Sequence, residues 1–349
     1  MQIEEVTVKQ LRQYLFGLGA LSLFVFSSHA MACTDIIVNA RDHYFVGRNF
    51  DWPIKDTYLV VNPTGLEHQS DDLSVKHQTL KWTSKYGSVT FDLADANNQP
   101  DRYAVLDGIN QYSLTAAALW LQDSAYPNPP HQQVIATGLW VQYILDNAKT
   151  VKEAIQLAQN ITIEPVVFNK QAILLHLVMH DAGGHSAVLE YLNGKLVVFQ
   201  AKTMPVPVLT NNNYQVSLLN LQKYQGFGGS LTLPSGYDSE DRFVRAAYFI
   251  KQLSPLSSSQ AALNSTFQIL GEVSEPAGAV GGATMWSVVY DLSNQTVYYR
   301  DIDNPKIRFV RLNQFDFSKG APSSFLLINN KLAGNVRADL EDGMHNAVH

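Results

Sequence analysis

Over residues 34–50 the chain alternates apolar runs with a polar break: "TDIIVNA" and "HYFVGRNF" flank "RD". β-Branched and aromatic runs on either side of such a break predict a hairpin. Short runs of the same kind follow in "TYLVVN", "SVTFDL", "YAVLDGI" and "SLTAAALWL", each of strand length. Over about residues 130–160 the spacing changes. In "QQVIATGLWVQYILDNA" Val134, Ile135, Leu139, Tyr143 and Ile144 recur at helical intervals, which predicts a helix. "TVKEAIQLA" then opens on Thr150 with Glu153 three residues on, the capping-box pattern that satisfies free amides at a helix start.

Strand-like runs resume in "AILLHLVMH", "SAVLEYL" and "KLVVFQ", the last two joined by the turn signal Asn193-Gly194. A second helical block runs from Ser239 through "EDRFVRAAYFIKQL" and "SSQAALNSTFQIL". The pattern closes with "MWSVVYDL", "TVYYRDI" and "IRFVRL". Strands, helices, strands, helices and strands in that order predict an α+β fold, with helices layered on antiparallel sheets. No repeat, low-complexity tract or linker divides residues 33–349, so they are expected to form a single domain.

The first 32 residues depart from this pattern. Lys9 and Arg12 precede a short apolar core, "LFGLGALSLFVF", and Ala30-Met31-Ala32 supplies the small residues that signal peptidase needs. Residues 1–32 therefore read as a cleaved signal peptide, and the protein as exported, periplasmic or secreted. A retained anchor is the alternative, but the core falls short of the roughly 20 apolar residues of a membrane span. Apolar residues make up 46% of the chain and aromatic ones 11%, enough for a large core. The net charge of −6 gives no basic surface for nucleic acid, and no Lys/Arg cluster suits an anionic membrane.

The chain holds one cysteine, Cys33, so no intrachain disulfide can form. Cutting after Ala32 would make Cys33 the first residue of the mature protein. A thiol must lose its proton to attack, and free cysteine has a pKa of about 8.5. An N-terminal cysteine carries its own base, an α-amine with an unperturbed pKa of about 7.7–8.0. The competing reading is a lipoprotein, in which acylation at this position consumes both thiol and amine and leaves a lipid-anchored, non-catalytic binding protein. Ala30 and Met31 do not match the lipoprotein signal, which prefers an aliphatic residue such as Leu at −3 and a small one at −2.

Arg48 and Asp51, in "VGRNFDWP", lie on the hairpin arm that returns toward Cys33. An arginine near the sulfur favours thiolate by charge. A carboxylate there would hold the α-amine. These pieces stand in order with "DGIN" (residues 107–110), "VLTNN" (208–212), "SEDRFVRAAY" (239–248) and "WSVVYDLSNQTVYYRDIDN". Together with "CT" at Cys33 and "GRNFDW" at Gly47–Trp52, they resemble the choloylglycine hydrolases over roughly residues 33–310. That family includes bile salt hydrolases and penicillin V acylases, which are N-terminal nucleophile hydrolases.

The resemblance implies a four-layer αββα sandwich of two antiparallel sheets, often tetrameric, without cofactor or metal. It implies Cys33 as the nucleophile, with Arg48 and Asp51 flanking its sulfur and amine. Asn211 would be a side-chain donor to the oxyanion, with a backbone amide near Trp120 as the other. Arg242 would be a second active-site arginine. Without the resemblance, Asn211 reads as a turn former and Arg242 as a surface charge.

Two departures bear on specificity. Trp120 stands where bile salt hydrolases carry asparagine, and with Trp52 it would make an aromatic substrate wall; buried core is the alternative fate of both. The pairing resembles the Gram-negative penicillin V acylase branch, some of whose members also cleave N-acyl homoserine lactones. Asn213 replaces a proline often found after "TN-x", which would alter the loop near Asn211. The resemblance implies hydrolysis of a linear amide through an acyl-enzyme, with penicillin V or an N-acyl homoserine lactone as the expected substrate type and conjugated bile salt as the alternative. His176, His180 and His185 are joined by no cysteine or carboxylate cluster and read as structural, and the resemblance implies that they lie away from the site; "GFGG" (226–229) reads as a loop.

Overall fold

The computed structural model describes residues 32–41, 43–52, 56–69, 77, 79–128, 133–168, 170–278 and 282–343. The reading of residues 1–31 as a signal peptide lies outside them.

The predicted hairpin forms from β1 (Ala32–Ala40) and β2 (His43–Asp51). The chain continues through β3 (Thr57–Asn62), β4 (Ser88–Ala94), β5 (Pro100–Asn110) and β6 (Thr115–Trp120). Helices α1 (Trp140–Asn147) and α2 (Val151–Ala158) precede β7 (Leu175–His180), β8 (Ser186–Leu192), β9 (Lys195–Gln200) and the short β10 (Val208–Leu209). Helices α3 (Tyr214–Leu221), α4 (Ser239–Gln252) and α5 (Ser259–Glu272) follow. The closing strands are β11 (Thr284–Asp291), β12 (Thr296–Asp301), β13 (Arg308–Arg311), β14 (Ser323–Leu327), β15 (Gly334–Asn335) and β16 (Glu341–Gly343).

These strands build two large sheets. One has the order β10-β1-β2-β11-β12-β13-β15 and the other β9-β8-β7-β6-β5-β4-β3-β14-β16, antiparallel throughout except for the β13–β15 edge. The sheets share an apolar layer in which Ile37, Val46 and Val288 of the first face Val89, Phe91 and Leu119 of the second. Helices α4 and α5 cover the outer face of the seven-stranded sheet, burying Phe243, Ala247 and Leu270. Helices α1 and α2 cover the nine-stranded sheet, where Trp140, Ile144 and Ile155 bury against Ala116 and Leu177. At about 1.5–3 kcal/mol for each large side chain removed from water, these three apolar layers hold the four structural layers together. The α+β expectation and the αββα sandwich are both realised.

Details of the pattern are realised or corrected one by one. The Thr150 side chain accepts from Glu153 N at 3.2 Å, the forward half of the predicted capping box, whereas Glu153 Oε2 accepts from Lys149 N at 2.8 Å, one residue before the cap. Asn193 and Gly194 both have positive φ, 52° and 74°, as a primed hairpin turn requires. Val134 and Ile135 are not helical, however. They lie in a strand, Gln133–Ala136, paired in parallel with Ile161–Glu164, and the helix begins only at Trp140. A run buried on all sides fits either period, and strand pairing captured this one. Helix α3 was not predicted. Asn213 caps it, accepting from Val216 N at 3.2 Å, so the departure from proline serves as a helix start.

Candidate active site

The register of the hairpin decides what surrounds Cys33. Cys33 stands opposite Phe50, Asp35 opposite Arg48 and Ala32 opposite Asp51. Arg48 is thus diagonal to Cys33 on the face between the sheets, a span that a long side chain crosses. Its Nη2 lies 3.7 Å from Cys33 Sγ. The same nitrogen donates to Ala118 O at 2.6 Å, Nη1 donates to Leu106 O at 2.6 Å, and Asp107 Oδ2 lies 3.3 Å from Nη1. The guanidinium is therefore tied into the facing sheet and cannot swing away from the sulfur.

Strand alternation sends Asn49 and Asp51 to the opposite face, toward the helices. Asn49 Nδ2 donates to Leu270 O at 2.8 Å and so fixes α5. Gly47 lets α5 approach, because a Cβ there would stand 2.6 Å from Thr266 Cγ2. Asp51 accepts from the Thr284 hydroxyl through Oδ1, and its Oδ2 lies 3.7 Å from Arg242 Nη1. The "GRNFDW" stretch therefore serves the sulfur with one set of alternate residues and the helix layer with the other.

Arg242 enters from the first turn of α4, fully buried. Nη1 donates to Cys33 O at 2.5 Å and Thr34 Oγ1 at 2.7 Å, Nη2 donates to Asn211 Oδ1 at 2.8 Å, and Nε donates to Tyr237 O at 2.9 Å. It is a clamp between the hairpin and the Asn211 turn, not the exposed charge that a helix start suggests. Asn211 Oδ1 also accepts from Cys33 N at 2.6 Å, while Nδ2 donates to Trp120 O at 2.9 Å. The Asn211 backbone N–H is held by Ser239 Oγ at 2.8 Å.

Burial dominates the electrostatics. It pushes the Cys33 thiol above its ordinary value, outweighing the downward pull of Arg48, and Asp51 adds to the rise. Against the same burial, Asp107 and then the Cys33 sulfur hold Arg48 more firmly charged than usual. Burial pushes Asp51 up to about 7, offset only in part by Arg242 and Thr284. The expectation that arginine alone would favour thiolate gives way here: desolvation is the larger effect, and the thiol needs a base.

All five residues expected to carry the chemistry meet within this one cluster. The two tryptophans lie beside it. Trp52 stacks on Phe50 at 6.0 Å, and the rings of Trp52 and Trp120 stand 6.2 Å apart at 60°. Trp120 is buried and Trp52 half-buried.

Sequence reasoning passed over Ser239, Thr284 and Asp107, which hold Asn211, Asp51 and Arg48 in turn. It also set His176 aside. His185 is a turn residue with a largely exposed side chain. His180 pairs with buried Asp35 at 2.8 Å. His176, by contrast, contacts Thr210 O at 2.8 Å, one residue from Asn211, and so does not lie away from the site.

The sequence profile described as "Linear amide C-N hydrolases, choloylglycine hydrolase family" matches residues 33–325, the span that contains every residue of this cluster. The chain belongs to the choloylglycine hydrolase family. Among its relatives, penicillin V acylase of Pectobacterium atrosepticum is 28% identical over 340 residues, covering 89% of each chain. A bile salt hydrolase/transferase of Lactiplantibacillus plantarum is 26% identical over 314 residues, covering 80% of this chain and 92% of its own. The structure of penicillin V acylase from Agrobacterium tumefaciens superposes with a TM-score of 0.77 at 27% identity, over 89% of this chain and 98% of that one. Conjugated bile acid hydrolase from Clostridium perfringens shares the fold, with a TM-score of 0.70 at 20% identity, over 86% of this chain and 98% of that one. Family membership makes this protein a linear amide hydrolase, with the N-terminal nucleophile hydrolase fold. Among the described residues no helix is long and apolar enough to cross a membrane.

Proposed function

We propose that the mature protein begins at Cys33 and is an exported N-terminal cysteine amidase of penicillin V acylase type. The observation that carries this reading is the pair of contacts on one residue: Arg48 at the Cys33 sulfur and Asn211 Oδ1 at the Cys33 nitrogen. In the full chain that nitrogen is a peptide N–H behind Ala32 and cannot act as a base. Cleavage after Ala32 turns it into an amine, already aimed and hydrogen-bonded.

The amine takes the thiol proton, directly or through one water, and the thiolate attacks the substrate carbonyl carbon. An amide nitrogen has two hydrogens. Asn211 Nδ2 gives one to Trp120 O, and the second serves the developing oxyanion. A fixed donor of this kind contributes about 10²–10³ in rate. Collapse of the tetrahedral intermediate breaks the C–N bond. The leaving amine takes the proton from the α-ammonium, and a thioester remains on Cys33. Water, deprotonated by the α-amine, then releases the acid and restores the thiol. Arg48 stabilises the sulfur while it is charged.

The Trp52–Trp120 corner favours a flat or extended apolar acyl group, such as phenoxyacetyl or the acyl chain of an N-acyl homoserine lactone. Conjugated bile salts are the second reading, favoured by the L. plantarum relative. Mature protein and Cys33→Ser are assayed side by side on phenoxyacetyl, acyl-lactone and bile-salt amides, and the exported protein is weighed intact. The expected result is a mass beginning at an unmodified Cys33, turnover of the first two classes, and loss of turnover in Cys33→Ser. A diacylglyceryl adduct would favour the lipid-anchored alternative. Unimpaired turnover by Cys33→Ser would remove the mechanism. The tetramer that the family resemblance implies is tested by light scattering on the same sample.

A further inference from the structure

The turn that carries Asn211 is gripped at both ends by two buried residues of the nine-stranded sheet. His176 on β7 and Glu190 on β8 are cross-strand neighbours, since Leu177 pairs with Leu189. His176 Nδ1 lies 3.0 Å from Glu190 Oε1, and neither side chain has any exposure. His176 Nε2 lies 2.8 Å from Thr210 O, before Asn211. Glu190 Oε1 accepts from Tyr214 N at 2.9 Å, beyond Asn213. The segment Thr210–Tyr214 thus hangs between the two members of one pair.

The proton arrangement follows from the partners. A carbonyl oxygen only accepts, so His176 Nε2 must carry hydrogen, and the Nδ1–Glu190 contact must hold a second proton. The ring is therefore a fixed donor to Thr210 O. A buried polar pair of this kind is costly unless its bonds are made, and Glu190 Oε2 has no hydrogen-bond partner among the described residues. An apolar pair would fill the same space without that cost. The arrangement sets the position of Asn211 relative to the facing sheet, because Asn211 must reach Cys33 N with Oδ1 and Trp120 O with Nδ2 at once. Trp120 is next to Leu119, the residue that pairs with His176, so one strand pair locates both the carbonyl and the turn.

We propose that His176 and Glu190 are positioning residues for the amidase reaction, holding Asn211 in register with the Cys33 nitrogen without touching substrate. The inference rests on the reading of Cys33 as nucleophile and its nitrogen as base. The test compares His176→Phe, which removes both bonds, with His176→Gln, whose amide N–H can still donate to Thr210 O, and with Glu190→Gln. All are made in mature protein that begins at Cys33. Two readouts are taken: kcat and KM on a phenoxyacetyl amide, and the rate at which iodoacetamide alkylates Cys33, the only thiol in the chain.

Misplacement of a catalytic group by about 1 Å costs roughly 10²-fold, so the expected kcat loss in His176→Phe is about 10- to 100-fold, with KM within about threefold. Alkylation slows in parallel, and His176→Gln recovers most of both. Equal losses in the Phe and Gln variants, a change confined to KM, or wild-type values in His176→Phe would overturn the proposal. Should His176→Phe fail to fold, Glu190→Gln decides: it keeps an acceptor for Tyr214 N, so a kcat loss without a KM change supports the role, and unchanged kcat refutes it. Should wild-type protein cleave no amide, the functional reading fails separately, and the alkylation rates still judge the positioning.

Discussion

Asn211 Oδ1 lies 2.6 Å from the nitrogen of Cys33, across 178 residues of sequence. A side-chain carbonyl there accepts from an amine or an ammonium alike, which suits the role proposed for that nitrogen as a base that passes a proton back and forth. Replacing it with a carboxylate would favour the ammonium. We therefore expect Asn211→Asp to move the acidic limb of the kcat/KM profile to higher pH, by about one unit or more. Asn211→Ala should lower kcat by about 10²–10³. A pH–rate series on both variants checks this, and a stationary acidic limb in Asn211→Asp would mean that the amine is not the base.

Among the described residues, Arg48 both pairs with Asp107 and touches the sulfur. Removing it takes away the cation that this buried carboxyl faces. Arg48→Met should cost about 3–5 kcal/mol where Asp107 is ionised. Burial already pushes Asp107 up to about 7, so the carboxyl takes up a proton below that pH and the penalty shrinks. Urea unfolding at pH 6 and pH 8 should give a larger difference from wild type at pH 8.

The tryptophan corner makes a prediction on specificity. Truncating Trp120 removes one wall of the Trp52–Trp120 contact and its edge interactions, worth about 0.5–1.5 kcal/mol beyond area. Trp120→Ala should raise KM about tenfold for phenoxyacetyl amides while leaving acetyl amides nearly unchanged. A matching loss on both would place the indole in the core and not at the substrate.

Asp92 gives a test of stability that is independent of catalysis. It is buried on β4, its Oδ1 has no hydrogen-bond partner among the described residues, and burial pushes its carboxyl up to about 8. A folded-state value above the unfolded one means that the native chain holds more protons between the two. Stability is then full at low pH and is lost as pH rises toward 8. The loss for one such group is up to about 1.4 kcal/mol per pH unit. Asp92→Asn should therefore gain on wild type steadily from pH 5 to pH 8, read as diverging urea midpoints. Parallel midpoints would show that Asp92 is ionised in the native state.

The hairpin, the second helical block and the closing strands were legible because each depends on a local period and a local turn. So was the placing of Arg48 near Cys33, since a short turn leaves the register little freedom. Helix α3 was not legible in the same way. Val216 and Leu219 are exposed on it, so its apolar residues do not mark one face, and the Asn213 cap that starts it shows only in the structure. The strand at Gln133–Ala136 misled for the opposite reason: Val134, Ile135 and Ala136 are all buried, which erases the period.

The bare chain, read in order, is enough to single out Cys33 as a lone thiol, to place Arg48 and Asp51 on the returning arm, and to suggest sheets layered with helices. Those facts rest on neighbours a few residues apart. What the order of residues leaves open is which identical-looking groups do the work. Whether a strand histidine braces Asp35 or grips the Asn211 turn, and whether an arginine at a helix start meets water or the Cys33 carbonyl, depends on where the second sheet and α4 come to rest. That is set by packing between segments far apart in sequence, whose free energy belongs to the shared apolar layers and not to any local stretch.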